Sequence, residues 1–189
     1  MELDVVSDTS VDTAAEAVRV THGRIDVLVN NAGVFRRGGP RNIAREIFSV
    51  NVIGAISVTE AFLPLLRTSA AAGNTPRLLF LSSSTGSLAY ASDPSSKYYA
   101  PLSNEYRAAN AARNMLVIQY WVKLQEKGVL VFGADPGLVA TSFVGDPTAL
   151  RQRGADEPEV GGERVASVIR GDRDADAGRV CAEYGVLPW

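Results

Sequence analysis

Cysteine and histidine are almost missing from this chain: Cys181 and His22 are the only ones in 189 residues. A single cysteine excludes an intrachain disulfide. One cysteine with one histidine cannot assemble a zinc site of the usual ligand set, so no metal is expected. Cys181 sits in the run Gly-Arg-Val-Cys-Ala-Glu, which reads as a strand and predicts a buried, inert thiol. His22 precedes Gly23 at an expected helix end, where it complements the helix dipole. Charge of one sign is also scarce. A net charge of -2, with no block of lysines or arginines, gives no electrostatic footprint for nucleic acid or an anionic membrane. No apolar run approaches a membrane span, and the acidic start Met-Glu-Leu-Asp-Val-Val is neither a signal nor a transit peptide. These absences lead to the expectation of a soluble, cytoplasmic protein that handles a small-molecule metabolite.

What is present is an ordinary globular composition, 46% hydrophobic and 21% charged, enough for one well-buried domain over residues 1–189 and short for two. Residues 2–6 alternate toward a short strand, and Ser7 to Ser10 supply helix-start residues for a helix that stops at His22-Gly23. Ile25 to Val29 is an apolar run bounded by Gly and Asn, as expected of a parallel strand buried on both faces. Strand, helix, strand is the opening rhythm of an α/β fold. Gly33 and Gly38 stand at phosphate-loop spacing, but Gly39 replaces the lysine and no Ser or Thr follows, which dismisses a nucleotide triphosphate site.

Helical periodicity returns over 42–67, a buried strand over 77–83, a long helix over 105–127, and further strands over 129–134 and 179–182. The spacing also predicts short helices over 147–153 and 163–169, and the apolar tail from Tyr184 to Trp189 is expected to pack. The apolar surface of 105–127 is wider than one sheet face needs, which predicts subunit contact. The segment 84–104 is long for a compact domain and carries Tyr90, Tyr98 and Tyr99, a candidate wall or lid over a pocket.

The helix over 105–127 opens with Tyr106-Arg-Ala-Ala-Asn110. Residues four apart share a helix face, so the Tyr106 hydroxyl and the Asn110 amide are expected in the same space. Other polar residues stand at strand ends: Asn30-Asn31-Ala32-Gly33, Asn51 in Phe-Ser-Val-Asn-Val-Ile-Gly, Ser83 in Ser-x-x-Gly86, and Pro136-Gly137. In an open parallel sheet ligands bind at the carboxyl ends of strands, so these pieces should converge.

Taken in that order, these five motifs strongly resemble the short-chain dehydrogenase/reductase family, particularly its fungal-type members, from about Leu3 to Trp189. The resemblance implies an incomplete Rossmann-like three-layer sandwich with a parallel sheet of about five strands, and association as a homodimer or tetramer through helices 42–67 and 105–127. It implies roles too: Tyr106 as acid/base, Ser83 as the hydrogen-bond donor to a substrate carbonyl, and Asn51 as organiser of a water relay. Asp4 matches the residue near the adenine, Asn30, Ala32, Gly33, Pro136 and Gly137 flank the cofactor, and Thr141 contacts the nicotinamide amide. The segment 141–162, with Phe143, matches the substrate loop.

Two departures from the family pattern change the expected chemistry. The family's opening strand, Gly-rich turn and helix have no counterpart ahead of Met1, which leads to the expectation that the main dinucleotide anion site is lost. Asn110 stands where the family has a lysine whose charge lowers the tyrosine pKa and whose ammonium holds the nicotinamide ribose. An unperturbed phenol is only about 0.1% ionised at pH 7. Arg113 is a candidate to restore a cation, but a surface or interface arginine is the preferred reading of it, and Lys97, on the loop, is a poorer candidate.

Three functions stay open. One is a redox-silent protein that needs no cofactor and performs an isomerisation, dehydration or cyclisation on a carbonyl- or hydroxyl-bearing metabolite, with a role in secondary metabolism inferred from the family. Another is an NAD- or NADP-dependent carbonyl reductase whose N-terminal segment is missing, and the third is a non-catalytic binding or scaffolding subunit. The resemblance also implies a gap beside 25–29. It is expected to be filled by residues 2–6 as a fifth strand or covered by a second subunit.

Overall fold

The computed structural model describes residues 2–36 and 40–189. The comparison with a phosphate loop rests on Gly38 and Gly39, which lie outside the described residues. Five strands form one sheet in the order β1 (Val27–Asn30), β2 (Arg77–Leu81), β3 (Leu130–Ala134), β4 (Val180–Ala182), β5 (Gly185–Val186). The first four run parallel and β5 turns back antiparallel on β4.

The helices cover both faces, giving the expected three layers. On one face, α3 (Ala55–Ala71) and α5 (Asn104–Leu124) bury Leu63, Leu66, Val117 and Leu124 against Leu78, Phe80 and Val131. Strand side chains alternate between faces, so Leu79 and Phe132 point the other way and meet Val168 of α7 (Pro158–Arg170). Each of these fully buried aliphatic or aromatic side chains contributes roughly 1.5–3 kcal/mol relative to exposure. Helix α1 (Asp8–His22) packs outside α3 through Val11 and Ala14. Its start is set by Ser7, whose Oγ accepts the Ser10 N–H, and its end by Gly23 at φ 72°, with His22 in the last turn as expected.

Helix α2 (Pro40–Phe48) runs through a π-helical turn, Ser49–Gly54, directly into α3. The continuous helix Arg41–Ala71 is long and apolar enough to cross a membrane by length and composition, which the sequence pattern alone did not bring out. Half of its apolar window is buried inside the molecule, so packing against α1 and the sheet accounts for that composition.

Residues 2–6 do not form the expected fifth strand. Val5 and Val6 make a turn, the Asp4 carboxylate accepts the Val6 N–H, and Val5 lies against Gly54, where a Cβ would stand 2.9 Å from the Val5 carbonyl oxygen. The fifth strand comes instead from the tail, on the opposite edge of the sheet. Strand β1 is therefore an edge among the described residues, with Val27, Leu28 and Val29 only half-buried. Leu187 of the tail is buried, and Ala89 N–H and Ser87 Oγ–H donate to the carbonyls of Trp189 and Pro188. Helix α7 starts at Pro158, five residues ahead of the expected Glu163, because proline is accommodated at a first turn. The segment 84–104 is not wholly irregular: a 3-10 turn (Ser84–Gly86) and the short helix α4 (Leu88–Ser92) fill its first half, with α6 (Pro147–Gln152) as expected further on.

Candidate active site

The parallel arrangement sets the carboxyl ends of β1, β2 and β3 along one edge of the sheet, and the first turns of α5 pack against the turn that follows β2, where Gly86 meets Asn110. The Tyr106 ring meets Phe35, beyond β1, edge-on at 5.1 Å between centroids, and Phe143, from the loop after β3, at 6.2 Å. Phe143 was expected near the site; Phe35 was not, because a lone aromatic after Gly33 carries no pattern of its own. Burial among these rings pushes the Tyr106 phenol above its ordinary value of 10.0, while the Asn110 amide and the Arg113 charge pull it down and Asp135 adds to the rise.

Asn110 is buried, and its Nδ2 donates back to the Tyr106 carbonyl at 3.0 Å. Its Oδ1 is buried with no hydrogen-bond partner, an unmatched acceptor where the resemblance expects an ammonium. Gly86 makes this close packing possible: a Cβ there would lie 2.7 Å from Asn110 Cβ and 2.8 Å from its backbone carbon.

The cation of the site is Arg113. Contrary to the surface or interface role that the sequence favours, it is 4% exposed, seven positions beyond Tyr106 on the inner face of α5. Its Nε–H donates to the Asn51 carbonyl at 2.5 Å, one terminal nitrogen to Leu81 at 2.7 Å and the other to Ala32 at 2.6 Å. One guanidinium thus ties together the end of β2, the loop after β1 and the π-helical turn. No ion pair to a carboxylate accompanies it among the described residues. Burial lowers its pKa to about 10, and it stays charged at neutral pH. Lys97 lies elsewhere, over the Tyr98 ring at 5.2 Å.

Asn51 is hydrogen-bonded through both side-chain atoms and its carbonyl. Its Oδ1 accepts Val34 N–H at 2.7 Å, its Nδ2 donates to the Val34 carbonyl at 2.9 Å, and its own carbonyl takes Arg113. The residue expected to organise a water relay here clamps the loop after β1. Asn30 is likewise structural, its amide donating to Thr59 Oγ1 on α3 at 2.9 Å. Ser83 accepts from both the backbone N–H and the hydroxyl of Thr85, at 3.2 and 2.9 Å, which leaves its own O–H to donate.

Beside it, Asp135 Oδ2 accepts from Ser84 N–H at 2.7 Å and from the Ser84 hydroxyl, and Oδ1 accepts Gly137 N–H at 2.8 Å. The sequence showed Asp135 only as part of a turn; a partner 51 residues away leaves no local signal. Gly137 takes φ 83°, packed under Arg164. Arg107, also unforeseen, donates to the carbonyls of Thr85, Ala100 and Tyr98 and so fixes the loop over 85–100 to the Tyr106 helix.

The expected aromatic pocket is divided. Tyr90 and Tyr98 stack at 5.5 Å and line a cavity of about 450 Å³ that reaches Ser84 and Asp135. Phe143 stays on Tyr106, and Tyr99 is 57% exposed and off the cavity wall. Asp4 is exposed at the N-terminal turn, and Thr141 Oγ1 accepts the N–H of Phe143 at 3.4 Å and no other donor among the described residues. As a seat for a nicotinamide ribose these residues do not fit the pattern the resemblance implies. Asn110 presents an unmatched acceptor and no charge, and three donors of the nearest cation are spent on backbone carbonyls.

The family profile described as short chain dehydrogenase matches residues 1–150. The chain is 36% identical to the short-chain dehydrogenase/reductase tropE of Talaromyces stipitatus, over 97% of this chain and 73% of that protein. It is 35% identical to the short-chain dehydrogenase anuI of Penicillium roqueforti, over 76% of this chain and 58% of the relative. Its fold matches the NADPH-bound carbonyl reductase from chicken fatty liver with TM-score 0.78 at 24% identity, over 99% of this chain and 75% of that one. A 3-ketoacyl-(acyl-carrier-protein) reductase from Brucella melitensis, complexed with NADH, matches with TM-score 0.79 at 20% identity, over 95% and 74%. At that identity the two structures establish the Rossmann fold alone. The chain belongs to the short-chain dehydrogenase/reductase family.

Proposed function

We propose that the protein binds a small carbonyl- or hydroxyl-bearing metabolite between Ser83 and Tyr106 and performs acid/base chemistry that uses no nicotinamide cofactor: an isomerisation, dehydration or cyclisation. The observation that carries this reading is Asn110, a neutral residue with an unmatched buried acceptor one helical turn from the phenol. Beside it Tyr106 is a neutral acid at pH 7, whose O–H donates a hydrogen bond or a proton. Ser83, its oxygen already accepting twice, donates its own O–H to the same substrate oxygen. The Arg113 charge favours negative charge developing near Tyr106. Positioned hydrogen-bond and general-acid effects of about 10²–10⁴-fold each suffice for an intrinsically facile reaction. The fungal relatives support a role in secondary metabolism.

Family membership favours a second reading, a carbonyl reductase using NADPH or NADH, as in the chicken and Brucella structures. A third, a non-catalytic binding or scaffolding subunit pairing through α5, draws on the exposed Met115 and Val122 of that helix. The same surface would serve a homodimer or tetramer.

Titration of the purified protein with NADPH and NADH, followed by fluorescence or calorimetry, separates the first two. No saturable binding is expected, and micromolar affinity would overturn the cofactor-independent reading. Turnover of a metabolite without cofactor, abolished in Tyr106→Phe and Ser83→Ala, would exclude the non-catalytic reading. Turnover that survives both substitutions would show that the site lies elsewhere.

A further inference from the structure

The cavity of about 450 Å³ beside Ser84 lies within the size range of small-molecule sites, and its wall has an unequal distribution of committed and uncommitted charge. Each of its acids is held by hydrogen bonds or an ion pair, Asp135 by neutral donors alone. Asp135 accepts from Ser84 and Gly137, while Asp156 and Glu183 both pair with Arg164 at 2.8 Å. The cations that line it, Lys97 and Arg153, have no carboxylate partner among the described residues. The aromatic wall adds a second preference. Tyr90 and Tyr98 are stacked with their planes 14° apart, and Lys97 Nζ lies 5.2 Å from the centre of Tyr98. A stacked aromatic pair and an ammonium set over one of its rings therefore share one wall.

We propose that this cavity binds a planar aromatic ligand carrying a carboxylate, with the ring against the Tyr90–Tyr98 pair and the anion on Lys97 and Arg153. Neither an aliphatic acid nor a neutral aromatic satisfies both walls. Arg107 links the cavity to the candidate catalytic centre: it follows Tyr106 directly and its guanidinium holds the Tyr98 and Thr85 carbonyls. Ser84 of the cavity wall follows Ser83 in the chain. The proposal deepens the function argued above, placing an aromatic acid portion of the metabolite in this cavity while its carbonyl or hydroxyl reaches Ser83 and Tyr106.

The test uses the intact protein and three probes: 2-naphthoate, 2-naphthylmethanol and cyclohexanecarboxylate, titrated by calorimetry at low and high salt. The naphthoate is expected to bind about ten-fold or more tightly than either other probe, and its affinity should fall with salt. Lys97→Ala and Arg153→Ala alter exposed side chains and should leave the fold intact. Each is expected to weaken naphthoate about three- to ten-fold without changing the binding of the alcohol. Tyr98→Leu should weaken both aromatic probes. Equal binding of acid and alcohol, naphthoate affinity indifferent to both alanine substitutions, or no naphthoate binding at millimolar concentration would each overturn the proposal. Because binding and not turnover is read, a failure here leaves the Tyr106 chemistry to its own test, and a failure there leaves this result standing.

Discussion

Arg113 Nε donates to the Asn51 carbonyl at 2.5 Å, joining two residues 62 positions apart at the point where α5 meets the π-helical turn. The bond gives both buried polar residues a partner.

Arg113→Met would remove a buried cation and leave the carbonyls of Asn51, Leu81 and Ala32 without their donor. Each buried carbonyl deprived of its partner costs about 1–3 kcal/mol, so a total loss of roughly 3 kcal/mol or more is expected. Arg113→Lys, which cannot span all three acceptors, should fall between. Urea unfolding of the three proteins measures this, and an unchanged midpoint for Met would contradict the network's structural role.

In the proposed acid/base chemistry the pH dependence of activity follows Tyr106. Its pKa is raised in the folded state, first by burial, so the phenol stays protonated through the neutral range and beyond its ordinary value of 10.0. If Tyr106 works as an acid, activity should be flat from about pH 6 to 9 and fall only when the phenol ionises. A rate rising ten-fold per pH unit over that range would indicate a phenolate base instead. The same shift has a stability consequence. The folded form holds its proton more tightly than the unfolded form, so this contribution is complete below about pH 10 and is lost as pH climbs through the folded value. Loss of stability above pH 10 should therefore be smaller in Tyr106→Phe.

Periodicity and turn residues made the α/β layers legible because buried strands such as Arg77–Leu81 and capped helices such as Asp8–His22 are locally determined. The place of residues 2–6 was not, since one short alternating run serves equally as a strand or as a turn packed on Gly54. At the site, motif order marks Tyr106, Ser83 and Asn110 as candidates, while the burial of Arg113 runs against the surface or interface role that its sequence context favours. The bonding was not legible. Ser84 to Asp135 and Arg107 to Tyr98 join a side chain to a partner that only the folded chain brings near. Nor did the sequence show that Phe143 would leave Tyr90 and Tyr98 to cover Tyr106.

Gly86→Ala should damage the site without touching a catalytic group. The added Cβ would stand 2.8 Å from the backbone carbon of Asn110 and 2.9 Å from the Ala111 nitrogen, and a helix backbone cannot yield as a side chain can. Overpacking of this kind costs about 1–3 kcal/mol. The strain should also shift the turn carrying Ser83 and Ser84, so catalysis is expected to suffer more than thermal stability alone would account for. An alanine variant with wild-type melting temperature and turnover would show that the loop and α5 can separate freely.

Cys181 offers a readout of the sheet's far edge. Burial on β4 pushes its thiol up to about 11, the nearby Arg173 opposing and Asp176 reinforcing the rise. At pH 8 the thiolate is then about 0.1% of the total, roughly a hundred-fold less than for a thiol at an ordinary pKa near 8.5–9. The native protein should react with a disulfide reagent at least that much more slowly than the urea-unfolded chain, which should release one equivalent at once. Gly133→Ala supplies the control, because its Cβ would sit 2.6 Å from the Val180 side chain and press on the β3–β4 pairing beside Cys181. If β4 is held as described, that variant should expose the thiol and raise the native rate toward the unfolded one. Fast reaction in the unaltered protein would mean that β4 and β5 leave the sheet readily in solution.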